Sequence, residues 1–263
     1  MSLNFNKDGK RVAVVNGGKY NKKMVYISSE ADSGDEDSDN DNKISKTFTS
    51  IKLNRDGKFQ QTPDNHTERE IIYITGPSGS GKSTYTKNYI QQYKKLYPKN
   101  KIYIFSALDS DESIDELGGN RVIIDDTLIT DPIDIDEFKD SVVVFDDIDV
   151  ISNKKVRDAV YSLLNQVLEI GRHHKISCCI TNHLPTAGKD TRRILNEAHS
   201  VIYFPHSGSM KSLNYLLTDY LGLDKTDIKK IKHSKSRWCC VFKNYPQVIM
   251  TERNMYLLSN DDD

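Results

Sequence analysis

The chain has 263 residues and a mass of 30.0 kDa, with 37 % hydrophobic residues and a mean hydropathy of −0.62. That length suits one large domain or one domain with a small appendage, and no apolar run reaches the ~18–20 residues of a membrane crossing. The net charge of −1 conceals an uneven distribution: residues 30–42 hold seven acids and no base, and Asp261, Asp262 and Asp263 follow at the end, so the rest is basic, with 37 Lys and Arg against 28 acids. A basic body is compatible with a polyanionic partner. The first residues have no apolar core of a secretory signal, so a soluble, intracellular protein is expected. The four cysteines are two adjacent pairs, Cys178-Cys179 and Cys239-Cys240. Neighbours on a strand face opposite ways, which argues for buried thiols in a reducing compartment rather than a shared metal.

In chain order, residues 11–15 and 23–28 read as two strands around a turn that begins at Asn16-Gly17-Gly18. The acidic Ser/Asp/Asn stretch of about 29–46 cannot bury apolar surface and is expected to be disordered. A second hairpin is expected from Phe48 to Gln61, turning at Asn54-Arg55-Asp56-Gly57. Residues 1–66 are therefore predicted to be a β-rich N-terminal region and 67–263 the main domain. From residue 70 strands alternate with helices: strands at 71–75, 101–105, 121–124, 141–145, 176–181 and 199–204, and helices at 82–96, about 153–170 and 189–197. The run Ser141-Val142-Val143-Val144-Phe145 is apolar throughout, as in a strand covered on both faces. The alternation predicts an α/β fold with a mainly parallel sheet flanked by helices.

Between the first of these strands and its helix lies Gly76-Pro77-Ser78-Gly79-Ser80-Gly81-Lys82-Ser83, a full match to G-x-x-x-x-G-K-[ST]. In such a loop, glycines let backbone N–H groups close around phosphates and the helix start adds partial positive charge. Lys82 reaches the β- and γ-phosphates, the Ser83 hydroxyl holds Mg²⁺, and Thr84 completes the binding segment. The second half of the site is expected at Val142-Val143-Val144-Phe145-Asp146-Asp147, where Asp146 would orient Mg²⁺ and Asp147 would polarise the attacking water. The motifs together predict an NTPase that binds its nucleotide on a P-loop with Mg²⁺. No Asn-Lys-x-Asp guanine reader is present, since Asn153-Lys154-Lys155-Val156 lacks the acid.

Further on, Gly171-Arg172-His173-His174-Lys175 leads to a strand with the polar tip Thr181-Asn182-His183, and then to Arg192-Arg193-Ile194-Leu195-Asn196 and a strand at 200–204. Over about residues 68–258 this order resembles the FtsK–HerA superfamily, and most closely the genome-packaging ATPases of poxviruses and other large DNA viruses. The later segment Ser236-Arg237-Trp238-Cys239-Cys240-Val241-Phe242-Lys243-Asn244-Tyr245-Pro246 also looks like the closing hairpin of the viral members. The resemblance implies ATP-driven translocation of double-stranded DNA by a homo-oligomeric ring that packages a viral genome, with a capsid or portal protein as a further partner. It places such a protein in the host cytoplasm or viral factory, and in the virion. Residue by residue it makes Arg172 the arginine finger acting on a neighbouring subunit, with Arg192 and Arg193 as rivals. An arginine at a helix C-terminus can equally cap its carbonyls. His183 stands where the family has a polar γ-phosphate sensor, a role Asn182 could share, and Asp147 stands where many members have Glu. The bases at 225, 229, 230, 232, 235 and 237 form a candidate DNA-phosphate contact. A helicase-like ATPase or a nucleotide-dependent switch are the alternative functions.

Overall fold

A computed structural model describes residues 1–28, 48–67, 69–108, 110–186 and 188–258. The disorder expected for about 29–46 lies outside the described residues. The first strands, β1 (Ser2–Asn4), β2 (Lys10–Asn16) and β3 (Met24–Ser28), are antiparallel, and β2 and β3 turn at the glycines read from the sequence.

The segment expected to be a second hairpin behaves differently. Strand β4 (Ser50–Lys52) and strand β5 (Lys58–Gln61) do not pair with each other. The turn between them does form, with Gly57 N donating to Asn54 O at 3.0 Å. β5 completes a four-stranded sheet in the order β1-β3-β2-β5, whereas β4 departs to the edge of the large sheet. Period-two alternation identifies a strand but not the sheet it joins.

The main body contributes β6 (Ile71–Thr75), α1 (Lys82–Leu96), β7 (Lys101–Ser106), the short α2 (Glu112–Asp115), β8 (Asn120–Val122), α3 (Thr127–Thr130), β9 (Ser141–Asp146), α4 (Lys154–Ile170), β10 (Ser177–Asn182), α5 (Gly188–Glu197) and β11 (Ser200–Tyr203). After these come α6 (Met210–Tyr215), α7 (Lys225–His233), β12 (Cys239–Phe242), β13 (Val248–Thr251) and β14 (Asn254–Leu257). The ten-stranded sheet runs β4-β14-β13-β12-β11-β6-β10-β9-β7-β8. Its half from β11 to β8 is parallel, and β12, β13, β14 and β4 add antiparallel neighbours. The expected mixed α/β architecture is therefore observed, and among the described residues no helix is long and apolar enough to cross a membrane.

Pleat alternation divides the interior into two apolar clusters. Tyr73, Val143, Phe145, Cys178 and Cys239 join α4 and α5 on one face, while Ile72, Ile74, Val142, Val144, Cys179 and Cys240 join α1 and the small sheet on the other. Adjacent cysteines thus lie in opposite layers, all four buried and unpaired. The second cluster also contains Leu3, Val12, Val25 and Phe59, so residues on either side of the expected 66/67 boundary share one core.

His199 ties β11 to the start of the loop-bearing strand. Its backbone N donates to Ile71 O at 2.9 Å, and its Nδ1 accepts from Ile71 N at 2.8 Å. Burial, with Lys10 and Arg69 nearby, pushes the imidazole down to about 4. Between the ordinary value near 6.5 and about 4, the unfolded chain takes up a proton that the folded one refuses. This contribution is therefore complete above pH 6.5 and is lost as pH falls toward 4, at most about 3 kcal/mol. Urea unfolding at pH 7 and pH 4.5 should show the loss, and His199→Asn, which keeps an acceptor for Ile71 N, should flatten it. An unchanged slope in that variant would place the acid sensitivity elsewhere.

Candidate nucleotide-binding site

Strand order brings the chemistry together. β10 lies between β6 and β9, and the register sets Asn182 opposite Thr75 and Ser106 opposite Asp146. The C-terminal tips of four parallel strands therefore form one rim, the usual position for a ligand site in such sheets. At this rim Thr75 passes into the 76–83 loop, and Gly76 N donates to Asn182 O at 3.1 Å.

The loop needs its glycines for conformational reasons. Gly79 and Gly81 have φ of +76° and +113°, and Gly81 is the N-cap of α1. The loop closes with Ser80 N donating to Pro77 O at 3.1 Å, and Ser80 Oγ is buried with no partner among the described residues. Gly76 is packed so closely that a Cβ would lie 2.7 Å from both Ser80 Oγ and Phe204. Ser78, Gly79 and Thr84 are exposed, and Pro77, Gly81 and Ser83 half-buried. α1 has no acid in its first turn, which leaves the positive end of its dipole uncompensated at the loop.

Lys82 is buried and extends back across the loop, its Nζ 3.0 Å from Gly76 O and 3.3 Å from Asp147 Oδ1. Asp146 and Asp147 end β9 but occupy different environments. Asp146 is 1 % exposed and accepts from Ser106 Oγ at 3.1 Å. Burial, then the neighbouring Asp147 charge, holds its carboxyl above the usual carboxylate range. Asp147 has φ of +48°, a left-handed conformation that short polar side chains tolerate, and this turn directs it toward Lys82.

The structure assigns a position to Thr181 that sequence reasoning missed. Its Oγ1 accepts from Asp147 N at 2.8 Å and lies 2.9 Å from Asp146 Oδ1 and 3.0 Å from Asp147 Oδ1. One hydroxyl proton serves one carboxylate at a time, so Thr181 links the two acids. The pleat turns Asn182 to the face of Tyr73 and Ile180, away from Lys82, so Asn182 does not share the position expected of it. His183, just beyond the strand, does approach the acids: its Nε2 is 3.5 Å from Asp147 Oδ2. Asp149 steadies it, accepting from His183 N at 3.0 Å, with the imidazole Nδ1 3.5 Å away. The run Asp146-Asp147-Ile148-Asp149 carried that signal, since a third acid two residues on can return to the same rim.

Lys82, Asp146, Asp147 and His183 are thus brought together, with Ser83 in the first turn of α1. The donors are carboxylate and hydroxyl oxygens, a set that suits a hard divalent cation. Asp147, Asp149 and His183 also offer one ligand atom each within 4.8 Å of one another. The loop's orphaned Ser80 hydroxyl and the Lys82 ammonium beside it fit a polyphosphate.

Arg172 is not part of this assembly. It follows α4, whose 17 residues span about 25 Å from the acidic rim to the opposite end of the sheet. Among the described residues Arg172 makes no capping bond either; Arg69 caps two of the last carbonyls of α4 instead, its Nη2 donating to Val167 O at 2.6 Å and Leu168 O at 2.8 Å. Arg172 is exposed, with no hydrogen-bond or ion-pair partner for its guanidinium among the described residues. Of its rivals, Arg193 lies 3.4 Å from Glu169, and Arg192 is exposed on α5.

No protein-family model matches the chain. Among solved structures, the cytoplasmic domain of the type VII secretion ATPase EccC from Thermomonospora curvata is similar with a TM-score of 0.50 and 13 % identity, over 82 % of this chain and 29 % of that one. The DNA-packaging ATPase B204 of Sulfolobus turreted icosahedral virus is similar with a TM-score of 0.47 and 19 % identity, over 71 % of this chain and 98 % of that one. The likeness is one of fold: a mainly parallel sheet flanked by helices, as in P-loop ATPases, with a small antiparallel sheet added at the N-terminal end. In sequence, the uncharacterised protein V3 of Sputnik virophage is 43 % identical over 252 residues, covering 95 % of this chain and 96 % of that protein. At that identity and coverage, the chain belongs to the family of the Sputnik virophage protein V3.

Proposed function

We propose that the chain binds MgATP at residues 76–84 and hydrolyses it to drive double-stranded DNA, as the packaging motor of a viral genome. The observation that carries the reading is the 3.3 Å approach of the buried Lys82 ammonium to Asp147 where the loop meets the acidic rim. In this reading Lys82 neutralises charge on the terminal phosphates, and Ser83 and Asp146 would hold a Mg²⁺ ion, which would supply positive charge against the developing negative charge of the transfer. Asp147 takes the proton of the attacking water, and the Thr181 hydroxyl holds it in place for that transfer. His183 reports on the terminal phosphate through Asp147.

In this reading Arg172, which follows α4 at the end away from its own rim, serves as the finger for a second copy in a homo-oligomeric ring. Double-stranded DNA is the proposed polyanion, with a capsid or portal protein as docking partner. On α7, Lys225, Lys229 and Lys232 are exposed at i, i+4 and i+7, a stripe suited to phosphates rather than bases. Arg237, grouped with these bases in the sequence, instead lies beside the loop at Gly81.

Mass photometry should find a monomer alone and a closed ring with a non-hydrolysable ATP analogue and duplex DNA. Phosphate release per chain should rise with protein concentration and with duplex. A stable monomer whose hydrolysis ignores DNA would overturn the motor.

A further inference from the structure

Beside the loop is a cavity of about 360 Å³, at the small end of the range for ligand sites. Ser80, Gly81 and Thr84 form its inner wall, so it opens from the segment expected to hold the phosphates. Its aromatic side is Phe204 and Trp238, with the Trp238 ring edge-on to Tyr85 at a centroid distance of 5.1 Å. The opposite side comes from the small sheet, through Asn16 and Gln60. Gln60 fastens that sheet to the loop helix: its Nε2 donates to Asn88 O at 2.7 Å, and its Oε1 accepts from Asn16 Nδ2 at 2.7 Å.

Arg237 stands at the mouth. Its Nη2 is 4.0 Å from the position a Gly81 Cβ would take. Its backbone is held by N–H donation to Glu252 Oε2 at 3.0 Å, and Lys58 pairs with the other oxygen of that carboxylate at 3.4 Å. The guanidinium itself has no partner among the described residues. A planar cation over an aromatic-walled cavity next to a phosphate loop is suited to a flat, electron-rich ring joined to phosphates.

We propose that this cavity receives the base and ribose of the nucleotide whose phosphates lie at 76–84, with Arg237 stacked on the base and the N-terminal sheet closing the far side. The proposal rests on the nucleotide reading above and gives the small sheet a function in it. Arg237 and Trp238 would discriminate nucleotide from bare polyphosphate, and Gln60 would position the wall.

Trp238 is the sole tryptophan, so its fluorescence reports on this cavity alone. ATP should change its emission, whereas inorganic tripolyphosphate should compete for the loop and leave the spectrum unchanged. Arg237→Ala should weaken ATP about tenfold or more, a difference of about 1.4 kcal/mol, with tripolyphosphate affinity held within about twofold. Arg237→Lys should recover little, because a point charge does not stack. Gln60→Ala, away from the loop, should show the same selectivity for ATP over tripolyphosphate. The base site is overturned if Arg237→Ala and Gln60→Ala leave ATP affinity unchanged, if they weaken both ligands equally, or if tripolyphosphate alters the emission as ATP does. Failure of the wild-type chain to bind either ligand would instead remove the phosphate loop reading beneath it.

Discussion

Asp147→Asn should stop phosphate release while leaving ATP bound. The amide is isosteric and can still accept from Thr181, so the rim keeps its shape, but it no longer takes a proton from water. A general base of this kind contributes about 10²–10⁴ in rate, and that is the expected loss. Lys82→Ala should fail in a different way. The ammonium that lies between Gly76 O and Asp147 is the loop's buried cation, and its removal leaves two adjacent carboxylates facing the phosphates. Turnover should fall at least about a hundredfold, and affinity with it. Calorimetric affinity beside a phosphate-release assay separates the two variants. If Asp147→Asn loses binding as severely as Lys82→Ala, Asp147 is a partner of the lysine and not a base.

Arg172→Ala should leave folding and ATP affinity intact and still reduce turnover by about 10³ or more, the scale of an arginine finger. The side chain is exposed and makes no intramolecular bond among the described residues, so its removal costs little stability. It also stands at the end of the sheet away from its own loop. Titrating the variant into wild-type protein provides the test. Activity should fall faster than the wild-type fraction, because each variant chain disables its neighbour's site. A strictly proportional decline would exclude Arg172 as a finger in trans and return attention to Arg192 and Arg193.

The parts of this fold visible in the sequence were those imposed by local physics. Glycine spacing at 76–81 requires a loop with positive φ, and the apolar run 141–145 requires a strand covered on both faces. The adjacent cysteines fall into opposite layers because a pleat allows nothing else. The parts that were hidden depend on partners distant in the chain. Nothing near Asn54-Gly57 announces that β4 and β5 belong to different sheets. Thr181 gains its position from the order of β6, β10 and β9, and a threonine before the more conspicuous Asn182-His183 gives no sign of it. Arg237 reads as one more base in a basic tail until β12 carries it to Gly81.

The divergence of β4 from β5 has a practical consequence. Residues 50–52 cover the outer edge of β14, and residues 58–61 close the small sheet against the loop helix. Trimming the chain at residue 66 to obtain a minimal catalytic fragment would uncover a row of unpaired amides on β14 and bare the apolar face beneath. An exposed strand of that kind is a template for pairing with other molecules, so the shortened fragment would tend to precipitate.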